Sequence, residues 1–354
     1  MFGLYQFAVL YLIAMSMVAA EISCRNEAGD PIDWFVVYKL PMLKMNGSTG
    51  SGLDYLYMDS TNQEWQISKF QINTTKSAVG QVLQQLYQDY DKNNTVYMIY
   101  NDAPPNVTNS TRKGHTKGIL FFDNSQGFWL IHSVPHFPPY PEDGYGYPST
   151  GKRFGQTAIC VTYQYNEFKE IATQLLYYNP NVYNCSVPDI YQKEMWMLHK
   201  ICLGGHFPWI DSTRLTQLNS ARGEVFLNFA KSKYFIDDIF AAWIAQKLRT
   251  NMLVESWQSR QQLSSNCSLQ YHVYNINRIG LPTQSTFQTF YDHSKWCVSQ
   301  SNEDLWTCIG DLNRHPAQTR RSGGFICTQN KHIYTAFRNM VLYYKNCTDT
   351  EYKI

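Results

Sequence analysis

The chain has 354 residues, 44% of them hydrophobic and 15% aromatic, with a formal net charge of +2 and nine histidines. That length suits two domains or one large fold of two similar lobes, and the near-neutral charge excludes a strongly basic nucleic-acid coat at neutral pH. Full protonation of the nine histidines would move the charge from +2 to +11, so polyanions should bind far better in acid.

In chain order, residues 3–20 are apolar or uncharged and end in Val18-Ala19-Ala20 before Glu21. This predicts a secretory signal peptide over 1–20, although the usual basic start is missing. The run is short for a membrane span, and no membrane association is expected after its removal. Residues 32–40 (IDWFVVYKL) read as a buried strand. Val79, Val82, Leu83, Leu86 and Tyr90 have helical spacing and predict a helix over 78–90. Strands follow at 95–100, 118–122 and 128–134, the last two separated by the turn composition of residues 123–127. Residues 136–155, rich in Pro, Gly and Tyr, read as a long loop, and 159–163 as a strand. Residues 178–211 read as irregular, which places a connector at 181–211 between lobes at 21–180 and 212–354. Ile236, Ile239, Phe240, Trp243 and Leu248 mark an amphipathic helix, and short strands and turns fill the rest up to Cys347. The fold class is mixed α/β.

Eight N-x-S/T sequons, at Asn46, Asn73, Asn93, Asn106, Asn109, Asn184, Asn266 and Asn346, indicate a glycoprotein when combined with a signal peptide. The nine cysteines include no C-x-x-C pair and fit disulfides better than a metal site. One must stay odd. Cys297 is the candidate free thiol, because it sits two residues after Lys295 and would share its face.

Catalysis is suggested by a dyad that occurs twice, in Gly114-His115-Thr116-Lys117 and Asp292-His293-Ser294-Lys295. On a strand, the period of two puts His and Lys on one face. An imidazole can attack phosphorus or protonate a leaving oxygen while the neighbouring ammonium holds the anionic oxygens. If the first hairpin turns about Asn124-Ser125, Lys117 faces His132 directly. In the second half the chain returns through residues 305–313, bringing Asp311 or Asn313 beside His293. Taken singly, an H-x-K is a common surface pair; its duplication, with a returning polar residue each time, is what points to a shared site. His132 would otherwise be an ordinary buried histidine, and Asp292 could orient His293 or merely begin a turn, the turn being favoured. His199, His206, His272, His315 and His332 read as surface or structural. Lys152, Arg153, Arg320 and Arg321 read as solvated, while Arg112, Lys113 and Arg314, nearest the dyads, are candidate phosphate contacts. No G-x-S-x-G, H-E-x-x-H or P-loop occurs, and no dense carboxylate–histidine cluster suggests a two-metal nuclease. No metal or other cofactor is called for.

At these residues the chain resembles the deoxyribonuclease II family of acid endonucleases. The resemblance runs from about residue 22 to the C-terminus and includes DWFVVYKLP, GLDYLYMDS, GHTKGILFFD, GFWLIHSVPHFPP, DHSKWCVS, WTCIGDLNR and RSGGFICTQ. ISCRNEAG, NPNVYNCSVP and DDIFAAWIAQKL are similar to the beta branch more than the alpha branch. The resemblance implies a phospholipase D-like fold of two α/β lobes, each giving one H-x-K to a central cleft. It also implies metal-independent cleavage of DNA in acid, leaving 3′-phosphate and 5′-hydroxyl ends, with the catalytic pairs at His115 and Lys117 and at His293 and Lys295. Gly310-Asp311-Leu312-Asn313 resembles the G-S-x-N element of the phospholipase D pattern, whereas in the first half His132 stands where an Asn is expected. The family's disulfides map to Cys24–Cys160, Cys267–Cys347 and Cys308–Cys327, with Cys185–Cys202 added and Cys297 left free.

The expected function is therefore an acid endodeoxyribonuclease acting through a phosphohistidine. By analogy with phospholipase D, His115 attacks and His293 is the acid, an assignment the sequence leaves open. The expected partner is DNA with little sequence preference, a homo-oligomer is compatible with the chain, and the expected location is the lysosome or the secreted fraction. Two alternatives use the same residues: a phospholipase D-type phosphodiesterase, and an inactive glycoprotein that only binds DNA.

Overall fold

The computed structural model describes residues 21–42, 44–45, 48–107, 112–205 and 210–354. The expected signal peptide, the sequons at Asn46 and Asn109, and His206 lie outside the described residues. No helix among the described residues is long and apolar enough to cross a membrane.

Two large sheets organise the chain. The first holds β1 (Trp34–Lys39), β2 (Tyr55–Asp59), β3 (Gln66–Ile67), β4 (Val96–Asn101), β5 (Lys117–Phe122), β6 (Gln126–His132), β7 (Gln156–Gln164) and β8 (Val182–Ser186), in the order β8-β4-β5-β6-β7-β1-β2-β3. The second holds β9 (Thr213–Asn219), β10 (Val225–Lys231), β11 (Met252–Glu255), β12 (Val273–Gly280), β13 (Thr286–Gln288), β14 (Trp296–Ser299), β15 (Thr307–Gly310), β16 (Gly323–Thr328), β17 (Val341–Lys345) and β18 (Glu351–Lys353). Its order is β9-β10-β16-β15-β14-β11-β12-β17-β18, with β13 beside β12.

Strands such as β1 are aromatic or β-branched, here up to the closing Lys39, because both faces are covered. Trp34, Val36 and Tyr38 enter a central core that also contains Trp296 and Val298 of the second sheet. Phe35 and Val37 enter an outer core under α1 (Ala78–Asp89), whose Ser77 caps the Gly80 N–H. On the far side of the second sheet, a π-helical turn Ile239–Ile244 and the helix Ala245–Leu248 cover Met252, Val254 and Cys297. The two sheets thus share one central core.

Filling that centre are two helices the hydrophobic pattern did not announce, α2 (Glu167–Tyr178) and α3 (Lys331–Arg338). α2 follows β7 almost without a loop and lacks a side-chain cap, and α3 is only two turns long. Phe168, Ile171 and Leu175, with Ile333 and Phe337, nonetheless carry helical spacing and are buried. Each helix follows a central strand of one sheet and reaches the other. α2 packs on β9 and β10, while Phe337 of α3 meets Tyr38 and Trp65.

The same path recurs in both halves: β1, α1, β4, β5, β6, β7 and α2 correspond to β10, the 239–248 helical segment, β11, β14, β15, β16 and α3. Two expectations change. The connector at 181–211 is not irregular: it carries β8, which pairs with β4, and short helices Asp189–Gln192 and Trp196–Cys202, stapled by Cys185–Cys202. The later amphipathic helix starts at Ile239, where Asp238 accepts from the Phe240 N–H, leaving Ile236 exposed. Cys24–Cys160, Cys267–Cys347 and Cys308–Cys327 are bonded as the resemblance implies, and Cys297 is free and buried.

Candidate active site

The β5–β6 ladder pairs Gly127 with Phe122 through to Ile131 with Gly118. One further step sets His132 opposite Lys117, as the turn position predicts. The dyads themselves sit differently from expectation. Lys117 opens β5, but His115 lies before it, and both His293 and Lys295 precede β14. The two histidines instead bond through their backbone N–H groups to the other half. The His115 N–H donates to the Ser322 carbonyl and the His293 N–H to the Gly155 carbonyl, both at 2.9 Å.

In the first half-site, His115 Nδ1 lies 2.6 Å from the Asp311 carbonyl oxygen. A carbonyl only accepts, so Nδ1 carries the proton and Nε2 of the neutral ring presents a lone pair. The Asp102 carboxylate accepts from Lys117 Nζ at 2.5 Å and Arg321 at 3.2 Å, and stands 3.9 Å from His115 Nε2. Burial opposes ionisation of Asp102, but Lys117, His115 and Arg321 together hold its pKa well below the usual carboxylate range. Burial, then the Lys117 charge, lowers the His115 pKa well below its ordinary value, against the pull of Asp102. His132 is buried, its Nδ1 accepts from the Val134 N–H at 3.2 Å, and its Nε2 has no hydrogen-bond partner among the described residues. Burial and Lys117 lower its pKa to about 3. It is a neutral neighbour of the lysine.

The second half-site is aromatic. His293 stacks on Phe154, with centroids 3.9 Å apart and planes 7° from parallel, and Trp257 lies 4.6 Å away on a tilted plane. Burial, then Lys295 and Lys117, lowers the His293 pKa to about 2. Lys295 donates to the His293 carbonyl, and burial with the Lys117 charge brings its own pKa to about 7. Asp292 does not orient the imidazole. Fully buried, it accepts from Tyr38 and from the N–H (2.9 Å) and hydroxyl (2.7 Å) of Ser294, fixing the loop that carries the dyad. Glu255, fully buried at the end of β11, has neither oxygen hydrogen-bonded among the described residues, and burial raises its pKa well above the ordinary value.

The returning residues serve other partners than expected. The β14–β15 ladder pairs Trp296 with Ile309, and continuing it sets Asp311 opposite Ser294. Asp311 then sends its carbonyl to His115, in the other half, and its own carboxyl is buried beside Lys117 and Lys295. Asn313 Oδ1 accepts from the Trp257 N–H at 3.3 Å and so supports the ring against His293. Arg314 is not a phosphate contact: it is 1% exposed and bonded to Asp238, Asn275 and the Ser264 carbonyl. Arg112 and Lys113 do face open space. They line a cavity of about 1000 Å³ together with Lys233, Tyr234, Arg320 and Arg321. Asn73, Asn93 and Asn106 are exposed, whereas Asn184, Asn266 and Asn346 are partly covered.

The dyads act on each other electrostatically. Lys117 depresses His293 and Lys295, and Lys295 depresses His115. Asp102, Tyr38, Phe154, Trp257 and Lys39 were not singled out from the sequence, and Arg321 was read as solvated. Asp102 ends a buried apolar strand, which is a signal for an inward carboxylate. The aromatic residues carry no comparable signal.

The family model for deoxyribonuclease II matches residues 23–347. The chain is 54% identical to human deoxyribonuclease-2-beta, with 96% of each chain covered. It is 40% identical to mouse deoxyribonuclease-2-alpha, over 96% of this chain and 98% of the relative. It is 34% identical to plancitoxin-1 from Acanthaster planci, over 98% of each chain.

Proposed function

The chain belongs to the deoxyribonuclease II family, on its beta branch, and from that premise we propose that it is an acid endodeoxyribonuclease whose two dyads form one metal-independent site of the phospholipase D type. The observation that carries this reading is the locked tautomer of His115. Its Nδ1–H is committed to the Asp311 carbonyl, leaving Nε2 to attack phosphorus. The O5′ atom departs with a proton from His293, giving a 3′-phosphohistidine ester and a 5′-hydroxyl end. Water then attacks the same phosphorus and gives its proton to His293, releasing a 3′-phosphate and neutral His115. Lys117 and Lys295 hold the non-bridging oxygens as charge builds.

In the free site both imidazoles are held neutral. The bound phosphodiester supplies the negative charge that lets His293 take up its proton. Binding proceeds through backbone phosphates, with Arg112 and Lys113 as contacts, so sequence preference is small. The lysosome or the secreted fraction suits this enzyme: four disulfides fit an oxidising route, and Lys295 keeps its charge best below pH of about 7.

Plasmid incubated with the secreted protein in acid buffer containing excess EDTA tests the reading. Cleavage should persist, and the new 5′ ends should accept a labelled phosphate from a polynucleotide kinase without prior phosphatase treatment. Loss of activity on chelation restored by magnesium, or 5′-phosphate ends, would refute it.

A further inference from the structure

Two fully buried lysines close β1 and β10, which occupy the same place in the two halves. Lys39 Nζ donates to the carbonyls of Lys152 (2.9 Å) and Phe154. Lys231 Nζ donates to the carbonyls of Phe235 (2.9 Å), Thr319 (2.9 Å) and Arg321 (2.7 Å). Neither has a salt-bridged carboxylate among the described residues. Burying an ammonium is costly; Asp292 lies close enough to Lys39, and Asp238 and Asp237 to Lys231, to offset part of that cost. Lys39 spends its donors on the loop that enters β7, and Lys231 gives two of its three to the segment that enters β16.

Each loop then grips the dyad of the opposite half. Gly155, one residue past the carbonyl held by Lys39, accepts from the His293 N–H and donates to the Tyr291 carbonyl, both at 2.9 Å. The approach is close: a Cβ on Gly155 would lie 2.4 Å from an Asp292 carboxylate oxygen. Ser322, one residue past the carbonyl held by Lys231, accepts from the His115 N–H at 2.9 Å. Beside it, Arg321 donates to the carbonyls of Lys113 and Gly114.

We propose that Lys39 and Lys231 are positioning residues that work crosswise: Lys39, in the first half, sets His293 through Gly155, and Lys231, in the second half, sets His115 through Ser322. Neither lysine touches the phosphate. Each fixes a backbone acceptor, and the acceptor fixes where an imidazole stands. A displacement of about 1 Å at that point costs on the order of 10²-fold in rate.

The kinetic test rests on the assignment of His115 as nucleophile and His293 as acid. It compares Lys39→Met and Lys231→Met with His293→Ala and His115→Ala, all as full-length secreted protein. Two substrates are used at saturation: plasmid DNA, and bis(4-nitrophenyl) phosphate, whose aryl oxide leaves without a proton. Lys39→Met should lose on the order of 10²-fold in kcat on DNA with KM unchanged, yet keep the first release of 4-nitrophenol, as His293→Ala does. Lys231→Met should lose both activities, as His115→Ala does. The ratio of the two rates does not depend on the folded fraction, so a partly folded preparation still reports. Gly155→Ala, which leaves the lysine in place, should reproduce the Lys39→Met pattern.

Histidine ring resonances provide a readout independent of the assigned roles. Lys39→Met should shift the His293 signals and leave those of His115, and Lys231→Met the reverse. Each lysine moving the histidine of its own half, or both histidines equally, would overturn the crosswise proposal. If His293→Ala abolishes the aryl ester reaction while the resonance pattern holds, the assignment of the acid fails and the positioning role stands.

Discussion

Asp102 and Trp257 occupy equivalent places in the two half-sites and could hardly differ more. The β4–β5 ladder pairs Asn101 with Lys117, so Asp102 follows opposite Thr116. Extending the β11–β14 ladder from its Glu255–Trp296 pair puts Trp257 opposite Ser294. One half therefore places a carboxylate beside its histidine and lysine, and the other an indole. The strand path, the H-x-K and the buried lysine at the end of β1 or β10 repeat, while the surroundings of the imidazole diverge. A duplicated scaffold supplies two similar placements of His and Lys. The neighbours then give them different surroundings, a carboxylate beside His115 and two aromatic rings beside His293, while burial and the lysines depress the pKa of both imidazoles.

The largest expected effect tests whether the halves are one machine. His115→Ala and His293→Ala should each lower kcat by more than about 10⁴-fold, and the double variant should be no worse, because residues acting as a unit are not additive. Half of the rate surviving either substitution would mean two separate sites.

Asp102→Asn probes the half that has a carboxylate. It leaves Lys117 and Arg321 facing each other without their shared partner, and breaking a buried ion pair from one side costs about 3–5 kcal/mol of stability. Activity should fall by about 10²-fold or more as Lys117 loses its anchor. The Asp102 charge raises the His115 pKa, so its removal lowers that pKa further. The acid limb of kcat/KM should move to lower pH; an upward shift would contradict the assigned geometry.

The pH profile of the parent enzyme follows from Lys295. Burial and Lys117 lower its pKa from the ordinary lysine value to about 7, so the ammonium is present below that pH and lost as pH rises through it. Deprotonation of the His293 acid acts in the same direction. At saturating DNA, kcat should fall about tenfold per pH unit above neutrality. Because His115 stays neutral well below its ordinary pKa, activity should persist far into acid. A kcat rising from pH 5 to pH 8 would exclude a protonated histidine as the leaving-group acid.

The smallest effect belongs to the aromatic half. Trp257→Leu removes one ring from His293 and admits water. Loss of an aromatic contact worth about 0.5–1.5 kcal/mol should cost about 2–10-fold in kcat. The His293 pKa should rise from about 2 toward its ordinary value, measurable by its ring resonance. The corresponding shift should be absent for His115.

The sequence alone determined much of this molecule. The buried strands, α1, the β5–β6 register that sets His132 beside Lys117, and the two dyads all follow from patterns with a period, a turn or a repeated motif. Those signals are local: alternation, helical spacing and turn composition act within a dozen residues. What lies across the chain was decided only by tertiary structure. Arg314 and Arg321 look alike as basic residues near the dyads, yet one is sealed against Asp238 and the other grips Asp102. Asp311 returns beside its own dyad in the linear reading, but in space its carbonyl serves His115. α2 and α3 carry helical spacing but few other marks: α2 follows β7 almost without a loop and has no side-chain cap, and α3 is only two turns long. The crosswise bonds from Gly155 to His293 and from Ser322 to His115 involve backbone groups, which every residue carries. No side-chain pattern can encode them, and they set where both imidazoles stand.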